Sequence, residues 1–143
     1  MLKILEPKES AEVVLIPLFP FITAGFPSAG EDFVEKEIDL NEYLIKNKPA
    51  TFYVRVRGNS LEGIGIYDGD LMIVDKSLEF INGDLAVVYL DGEFTAKMVK
   101  VERDQAWLVS ANANYKPIMV TSENEFSIFG IVAHNVHSFR NKW

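Results

Sequence analysis

Residues 85–101, LAVVYLDGEFTAKMVKV, decide the fold. Two apolar runs, at 85–90 and 93–101, lie on either side of the dipeptide Asp91-Gly92. An Asp-Gly pair between two apolar runs is typical of a two-residue turn that joins antiparallel strands. The stretch therefore predicts a β-hairpin, and with it a domain whose core is made by strands.

Further strands are predicted on both sides of this hairpin. Phe52, Val54 and Val56 alternate with Tyr53, Arg55 and Arg57, which is the two-residue period of a half-buried strand. The remaining strands are expected at 71–74, 106–110, 117–121 and 126–137. The predicted fold is mostly β: six or seven strands in a curved antiparallel sheet or partly open barrel, with an extended N-terminal arm and one or two short helices.

The first part of the chain is predicted to be an arm. The apolar run at 13–22 is too short to span a bilayer and lacks the basic start of a signal peptide, so we expect an extended segment on a protein surface. We divide the chain into a flexible arm at 1–30 and a β domain at 31–143. Two possible capping boxes follow the arm. Ser28 with Glu31 is the first, and Asp39 with Glu42 predicts a short helix that ends by residue 48.

Composition narrows the possible functions. The net charge of -7 disfavours a domain that binds DNA by itself, because phosphate binding needs a basic face. The chain has no cysteine, which excludes disulfides, thiolate catalysis and cysteine zinc sites and favours a cytoplasmic location. The two histidines, His134 and His137, lie three apart in a predicted strand and should point to opposite faces. We therefore predict structural or surface histidines, with no metal or cofactor.

Ser60 and Lys97 are the candidates for chemistry. Ser60 follows a predicted strand, and Gly58 permits a sharp turn that would present the hydroxyl and free backbone N–H groups. Lys97 lies inside an apolar strand, where desolvation would lower the pKa of its amine and allow it to accept the serine proton. The residues alone leave two alternatives open: a Gly-x-Ser that occurs by chance, and a lysine that extends to water at a sheet edge.

Three segments together resemble the LexA/UmuD family of self-cleaving serine peptidases. They are Ala24-Gly25, Gly58-Asn59-Ser60 followed by Asp68-Gly69-Asp70-Leu71, and residues 92–97, GEFTAK; residues 38–45 and 129–134 resemble UmuD in particular. The resemblance implies that Ser60 is the nucleophile and Lys97 the general base. It also implies that Ala24-Gly25 is the scissile bond and that the backbone N–H groups of Asn59 and Ser60 form the oxyanion hole. Asp68 and Asp70 would shape the turn before the next strand.

The same resemblance implies a role in the SOS response. Stimulated by a RecA–single-stranded DNA filament, the protein would remove its own arm. The product would form a homodimer and serve a UmuC-like Y-family DNA polymerase in error-prone translesion synthesis, with no direct DNA binding and no membrane attachment. Some residues depart from the family pattern. Leu61 stands where methionine is usual, Asn59 where acidic or apolar side chains are commoner, and Ala24 where UmuD proteins often have cysteine.

Three other functions stay open at this stage. The chain could be a non-catalytic dimeric binding module in which Ser60 and Lys97 are relics. It could be a Ser–Lys peptidase that acts on other proteins, as signal peptidases do, although no membrane anchor is expected and a cut site is built in. It could also be a stand-alone repressor C-terminal domain that only dimerises. A LexA-type repressor is not favoured, because we expect no helix-turn-helix domain before the arm.

Overall fold

The computed structural model describes residues 12–19 and 36–140, which fall into two compact units. Residues 12–19 and 36–46 belong to the smaller unit, and residues 47–140 to the larger one. The predicted domain boundary at residue 30, the capping box of Ser28 with Glu31 and the Ala24-Gly25 bond lie outside the described residues.

The smaller unit contains a two-stranded antiparallel sheet and one short helix. Strand β1 (Ile16–Leu18) pairs with β2 (Lys36–Ile38). Helix α1 (Leu40–Leu44) begins after Asp39, whose side chain accepts a 3.0 Å hydrogen bond from the backbone N–H of Asn41. This cap satisfies one of the N–H groups that a helix start leaves without a partner. The predicted helix after Asp39 is confirmed.

The larger unit is built on a single seven-stranded sheet. Its strands are β3 (Thr51–Arg55), β4 (Leu71–Asp75), β5 (Leu85–Leu90), β6 (Glu93–Glu102), β7 (Gln105–Val109), β8 (Ile118–Met119) and β9 (Phe126–Val136). They lie side by side in the order β3-β4-β9-β5-β6-β7-β8, and every neighbouring pair is antiparallel. Single turns of 3-10 helix at Lys48–Ala50 and Glu62–Ile64 precede and follow β3. The prediction of a mostly β fold, with a curved antiparallel sheet or partly open barrel, is confirmed: the seven strands form one antiparallel sheet that does not close.

The turn between β5 and β6 has the predicted chemistry. Asp91 and Gly92 both have positive φ, at 48° and 91°, as a two-residue hairpin turn of this twist requires. The Asp91 carboxylate also accepts hydrogen bonds from Asn124 Nδ2 at 2.6 Å and from the backbone N–H of Glu125 at 2.8 Å. The turn is therefore fastened to the loop before β9, and the predicted hairpin is confirmed.

Alternation along the strands divides the core into two clusters on opposite faces of the sheet. One cluster contains Phe52, Val56, Leu61, Ile66, Met72, Val74 and Val87. The other contains Ala86, Val88, Val99, Leu108 and Ile131. Each fully buried valine or leucine contributes about 1.5–3 kcal/mol relative to an exposed one, so both faces stabilise the sheet. In the part of the chain that the structure describes, no helix is long and apolar enough to cross a bilayer.

Candidate active site

Ser60 lies in a turn that Gly58 makes possible. Gly58 has φ of 86°, a conformation that glycine adopts at little cost, and its N–H donates a 2.8 Å hydrogen bond to Asp68 Oδ1. An added Cβ at Gly58 would meet no atom within 4 Å, so the requirement for glycine comes from the backbone conformation. After Ser60, the side chain of Leu61 is 3% exposed and fixes the loop to the core. The predicted sharp turn before Ser60 is confirmed.

A second segment, residues 110–115, holds the Ser60 loop from the other side. Ser110 Oγ donates a 2.8 Å hydrogen bond to the carbonyl of Ser60, and Asn112 Nδ2 donates a 3.1 Å bond to the carbonyl of Asn59. Gly63 permits this close approach, because a Cβ there would lie 1.8 Å from the carbonyl oxygen of Ala111. The two carbonyls are thus fixed.

The backbone N–H groups of Asn59 and Ser60, unlike their carbonyls, are not held by hydrogen bonds to described residues. Within residues 12–19 and 36–140, neither the N–H of Asn59 nor that of Ser60 donates a hydrogen bond. The loop therefore presents two adjacent N–H groups while its carbonyls are held by side chains. Such a pair of N–H groups is able to bind an oxyanion.

Lys97 lies on β6 in partly apolar surroundings. Its cross-strand partner is the fully buried Ala86, and Val99, on the same side of β6, is also buried. Burial lowers the pKa of the Lys97 amine below its usual value, because desolvation disfavours the ammonium. A lysine of this kind has a larger neutral fraction near neutral pH than an exposed one. The predicted direction of the Lys97 pKa is confirmed.

Two contacts bring the Ser60 loop towards Lys97. Met98, the neighbour of Lys97, pairs with Val109, the last residue of β7, and Ser110 follows Val109 directly. Ser110 is the residue that binds the Ser60 carbonyl. The second contact is Tyr115. Its ring centroid lies 5.5 Å from Lys97 Nζ, and its hydroxyl lies 3.4 Å from Asn59 Oδ1.

The catalytic pairing itself remains a prediction. Among the described residues, no hydrogen bond joins Ser60 Oγ directly to Lys97 Nζ. The roles of Ala24, Gly25 and the two N–H groups also remain predictions. Sequence reasoning did not single out Ser110, Asn112 or Tyr115, because they lie in or beside an irregular segment without periodicity.

Asp70 forms a buried polar centre at the end of β4. Its carboxylate, 2% exposed, accepts hydrogen bonds from the Tyr67 N–H at 2.8 Å, Asn135 Nδ2 at 2.9 Å and His137 Nδ1 at 2.5 Å. Burial alone would raise the Asp70 pKa, but these hydrogen bonds and the nearby imidazole outweigh it and hold the pKa below its usual value. The prediction that Asp68 and Asp70 shape the turn before β4 is confirmed.

His137 has the structural role that the sequence predicted for it. Its partner Asp70 could not be predicted from sequence, because the contact depends on the pairing of β4 with β9. Leu71 pairs with Val136, and the residues next to them, Asp70 and His137, are in contact. No group of three or more potential metal-ligating side chains occurs in the described ranges.

Comparison with known proteins decides the family. A family model described as Peptidase S24-like matches residues 17–133. The chain belongs to the Peptidase S24-like family. The predicted resemblance to a UmuD-like protein of the LexA/UmuD family is thereby confirmed.

Named relatives of this S24-like chain cover most of its length. Protein SamA of Salmonella typhimurium is 37% identical over 142 residues, which are 99% of each chain. Protein MucA of Escherichia coli is 33% identical over 135 residues, 93% of this chain and 92% of MucA. The LexA repressor of Ectopseudomonas mendocina is 36% identical over 120 residues, 84% of this chain and 58% of the repressor. The similarity to SamA and MucA thus extends over nearly the whole of each chain.

Proposed function

We propose that this S24-like chain is a UmuD-like protein of the SOS response that cleaves its own Ala24-Gly25 bond with Ser60 and Lys97. One observation carries the proposal: Lys97, a half-buried lysine with a lowered pKa, contacts the ring of Tyr115, whose hydroxyl lies 3.4 Å from Asn59 Oδ1 beside Ser60. A serine needs a base to become a nucleophile, and a partly desolvated amine meets that need.

The proposed chemistry uses groups already present in the chain. Ser60 Oγ attacks the Ala24 carbonyl carbon while its proton passes to the neutral amine of Lys97. The N–H groups of Asn59 and Ser60 stabilise the oxyanion, which is supported by their lack of other acceptors among the described residues. The C–N bond then breaks, and the Lys97 ammonium returns its proton to the departing nitrogen of Gly25. Water, deprotonated by the same amine, hydrolyses the resulting ester and releases Ser60.

Binding of the arm completes the site in this proposal. Catalytic hydrogen bonds are often long in an unliganded enzyme and shorten when the substrate binds. An arm that covers Lys97 would exclude water, lower the amine pKa further and close the distance to Ser60 Oγ. The cleavage rate then depends on the fraction of molecules whose arm occupies the site. We propose that a RecA–single-stranded DNA filament raises this fraction.

The cleaved form is proposed to act through protein partners. It would form a homodimer in the cytoplasm and serve as an accessory subunit of a UmuC-like Y-family polymerase in translesion synthesis. The acidic net charge of -7 supports a protein partner over direct contact with DNA.

The test is self-cleavage of the purified full chain, followed by mass spectrometry. We expect slow release of the first 24 residues at alkaline pH and faster release with RecA filaments. Ser60→Ala and Lys97→Ala should each abolish cleavage, whereas Lys100→Ala, an exposed lysine on the same strand, should not. Cleavage of the same bond by either active-site variant would refute the dyad. An intact wild-type chain after long incubation with active filaments would favour the non-catalytic binding module.

A further inference from the structure

Asp70 connects the end of β9 to the turn that supports the Ser60 loop. On one side its carboxylate accepts hydrogen bonds from Asn135 Nδ2 and His137 Nδ1. Asn135 is the next-to-last residue of β9, and His137 follows the strand directly. On the other side it binds the backbone N–H of Tyr67 within its own turn. One buried carboxylate therefore joins two segments that are far apart in sequence.

The turn at residues 67–70 is in turn bonded to the segment before Ser60. The Asp70 carbonyl accepts a 2.9 Å hydrogen bond from the Val56 N–H, and the Gly69 N–H donates a 2.8 Å bond to the Val56 carbonyl. Asp68 Oδ1 accepts the Gly58 N–H at 2.8 Å, two residues before the serine. A displacement of this turn would therefore move Gly58 and, with it, the loop that carries Ser60.

We propose that His137 and Asn135 are positioning residues for the Ser60 loop and act on it through Asp70. A buried carboxylate is tolerated only when donors surround it, and these two side chains supply two of its three hydrogen bonds. Without them the carboxylate would seek water, and the turn at 67–70 would open with it. His137 Nδ1 can carry a proton in both the neutral and the charged ring, so the bond to Asp70 persists in either state.

The side chain of Asn135 gives independent support. Its Oδ1 is buried and has no hydrogen-bond donor in the described part of the chain. An unpaired buried acceptor is destabilising, and an apolar side chain at this place would avoid that cost. The bond from Nδ2 to Asp70 is the one polar contact that the amide makes here in return, which indicates that donation to Asp70 is its role.

The loop is best followed by amide hydrogen exchange of Gly58 in the full chain carrying Ser60→Ala, which cannot cleave under the proposed function. His137→Leu removes the donor and should speed Gly58 exchange roughly tenfold, the effect expected when a supporting hydrogen bond is lost. His137→Asn places an amide donor near the ring Nδ1 position and should restore slow exchange. His134→Leu, three residues earlier and on β9, is the matched control and should leave Gly58 exchange unchanged.

Cleavage by the chain with Ser60 intact is the second readout, and it alone rests on the proposed function. His137→Leu should slow self-cleavage roughly tenfold at a temperature well below unfolding, and His137→Asn should restore the rate. If His137→Leu does not fold, Asn135→Val is measured instead, because it removes one donor and leaves the histidine in place.

The outcomes separate the two proposals. A lower unfolding midpoint with unchanged Gly58 exchange would show that His137 only stabilises the fold, and would overturn the positioning role. Faster Gly58 exchange in His137→Leu that His137→Asn restores, together with a wild-type chain that never cleaves, would overturn the proposed function and leave the coupling from β9 to the loop standing.

Discussion

Replacing Asp70 by asparagine tests how far the fold depends on one buried carboxylate. Asp70→Asn keeps the size and shape of the side chain and removes its charge. The carboxylate accepts from Tyr67 and Asn135 at one oxygen and from His137 at the other. Asparagine has a single acceptor oxygen, so it can keep the first two bonds only as neutral ones and must turn its amino group towards the imidazole.

The magnitude follows from these three bonds. A hydrogen bond to a charged group contributes about 1.5–3 kcal/mol and a neutral one about 0.5–1.5 kcal/mol, so two weakened bonds cost about 2 kcal/mol. The third bond survives only if His137 takes the tautomer that accepts at Nδ1. We therefore expect Asp70→Asn to lower the free energy of unfolding by about 2–3 kcal/mol at neutral pH.

The pH dependence has a definite sign. The Asp70 pKa is lower in the folded chain than its usual value, so the ionised form stabilises the fold above the unfolded pKa and this contribution is lost as pH falls through the folded pKa. The difference between wild type and Asp70→Asn should be complete near pH 7 and shrink below about pH 4.

Urea unfolding followed by fluorescence, in chains that also carry Ser60→Ala, measures this difference. Asp84→Asn is the matched control, because among the described residues Asp84 Oδ2 accepts a single exposed bond, of 2.8 Å, from the Ile81 N–H. We expect the control to lose less than about 1 kcal/mol. Equal stability of the two variants at pH 7, or a difference that does not change with pH, would refute the reasoning.

Three further predictions concern the site and its frame. Because the Lys97 pKa is lowered by burial, self-cleavage should rise about tenfold per pH unit and level off below the pH at which an exposed lysine titrates, while Lys97→Arg should abolish it; a rate independent of pH would contradict this. Gly63→Ala places a methyl group 1.8 Å from the Ala111 carbonyl oxygen, so it should cost about 1–3 kcal/mol in urea unfolding and slow cleavage, with Glu62→Ala as control. At Gly92 an added methyl group meets no atom, but φ is 91°. Gly92→Ala should therefore lower the free energy of unfolding by about 1 kcal/mol in urea and leave the cleavage rate unchanged.

The features that sequence predicted correctly are those decided within a few residues. The hairpin turn needs two residues that accept positive φ between apolar runs, and Asp91-Gly92 meets that need locally. Helix α1 needs a cap, and Asp39 supplies it from the adjacent position. Strand β3 follows its alternation, with Phe52 buried and Tyr53 exposed. In each case the physical cause lies in the segment itself.

The features that sequence could not predict depend on which strands become neighbours. Strand β9 lies between β4 and β5, although it comes last in the chain, and nothing in its own residues specifies that place. The contact of Asp70 with His137 continues the register of β4 with β9, and the contact of Ser110 with Ser60 joins a loop to a segment that is distant in sequence. The assignment of Ser60 and Lys97 as candidates depended on the family resemblance, because a Gly-x-Ser and a lysine in a strand are each common.

The proposed site combines a firmly held backbone with polar groups that could bind a peptide. Side chains bind the carbonyls of Asn59 and Ser60, while the two N–H groups donate to nothing in the described ranges and burial disfavours the charge on Lys97. Asn59 is exposed and Ser60 and Lys97 are half-buried, so water can reach these groups until a peptide covers them. A peptide carbonyl from the arm would accept the two N–H bonds, and its covering chain would favour the neutral amine. The proposed site and the peptide that it would cut belong to one chain. A partner that holds the arm in place would therefore raise the cleavage rate without touching Ser60 or Lys97.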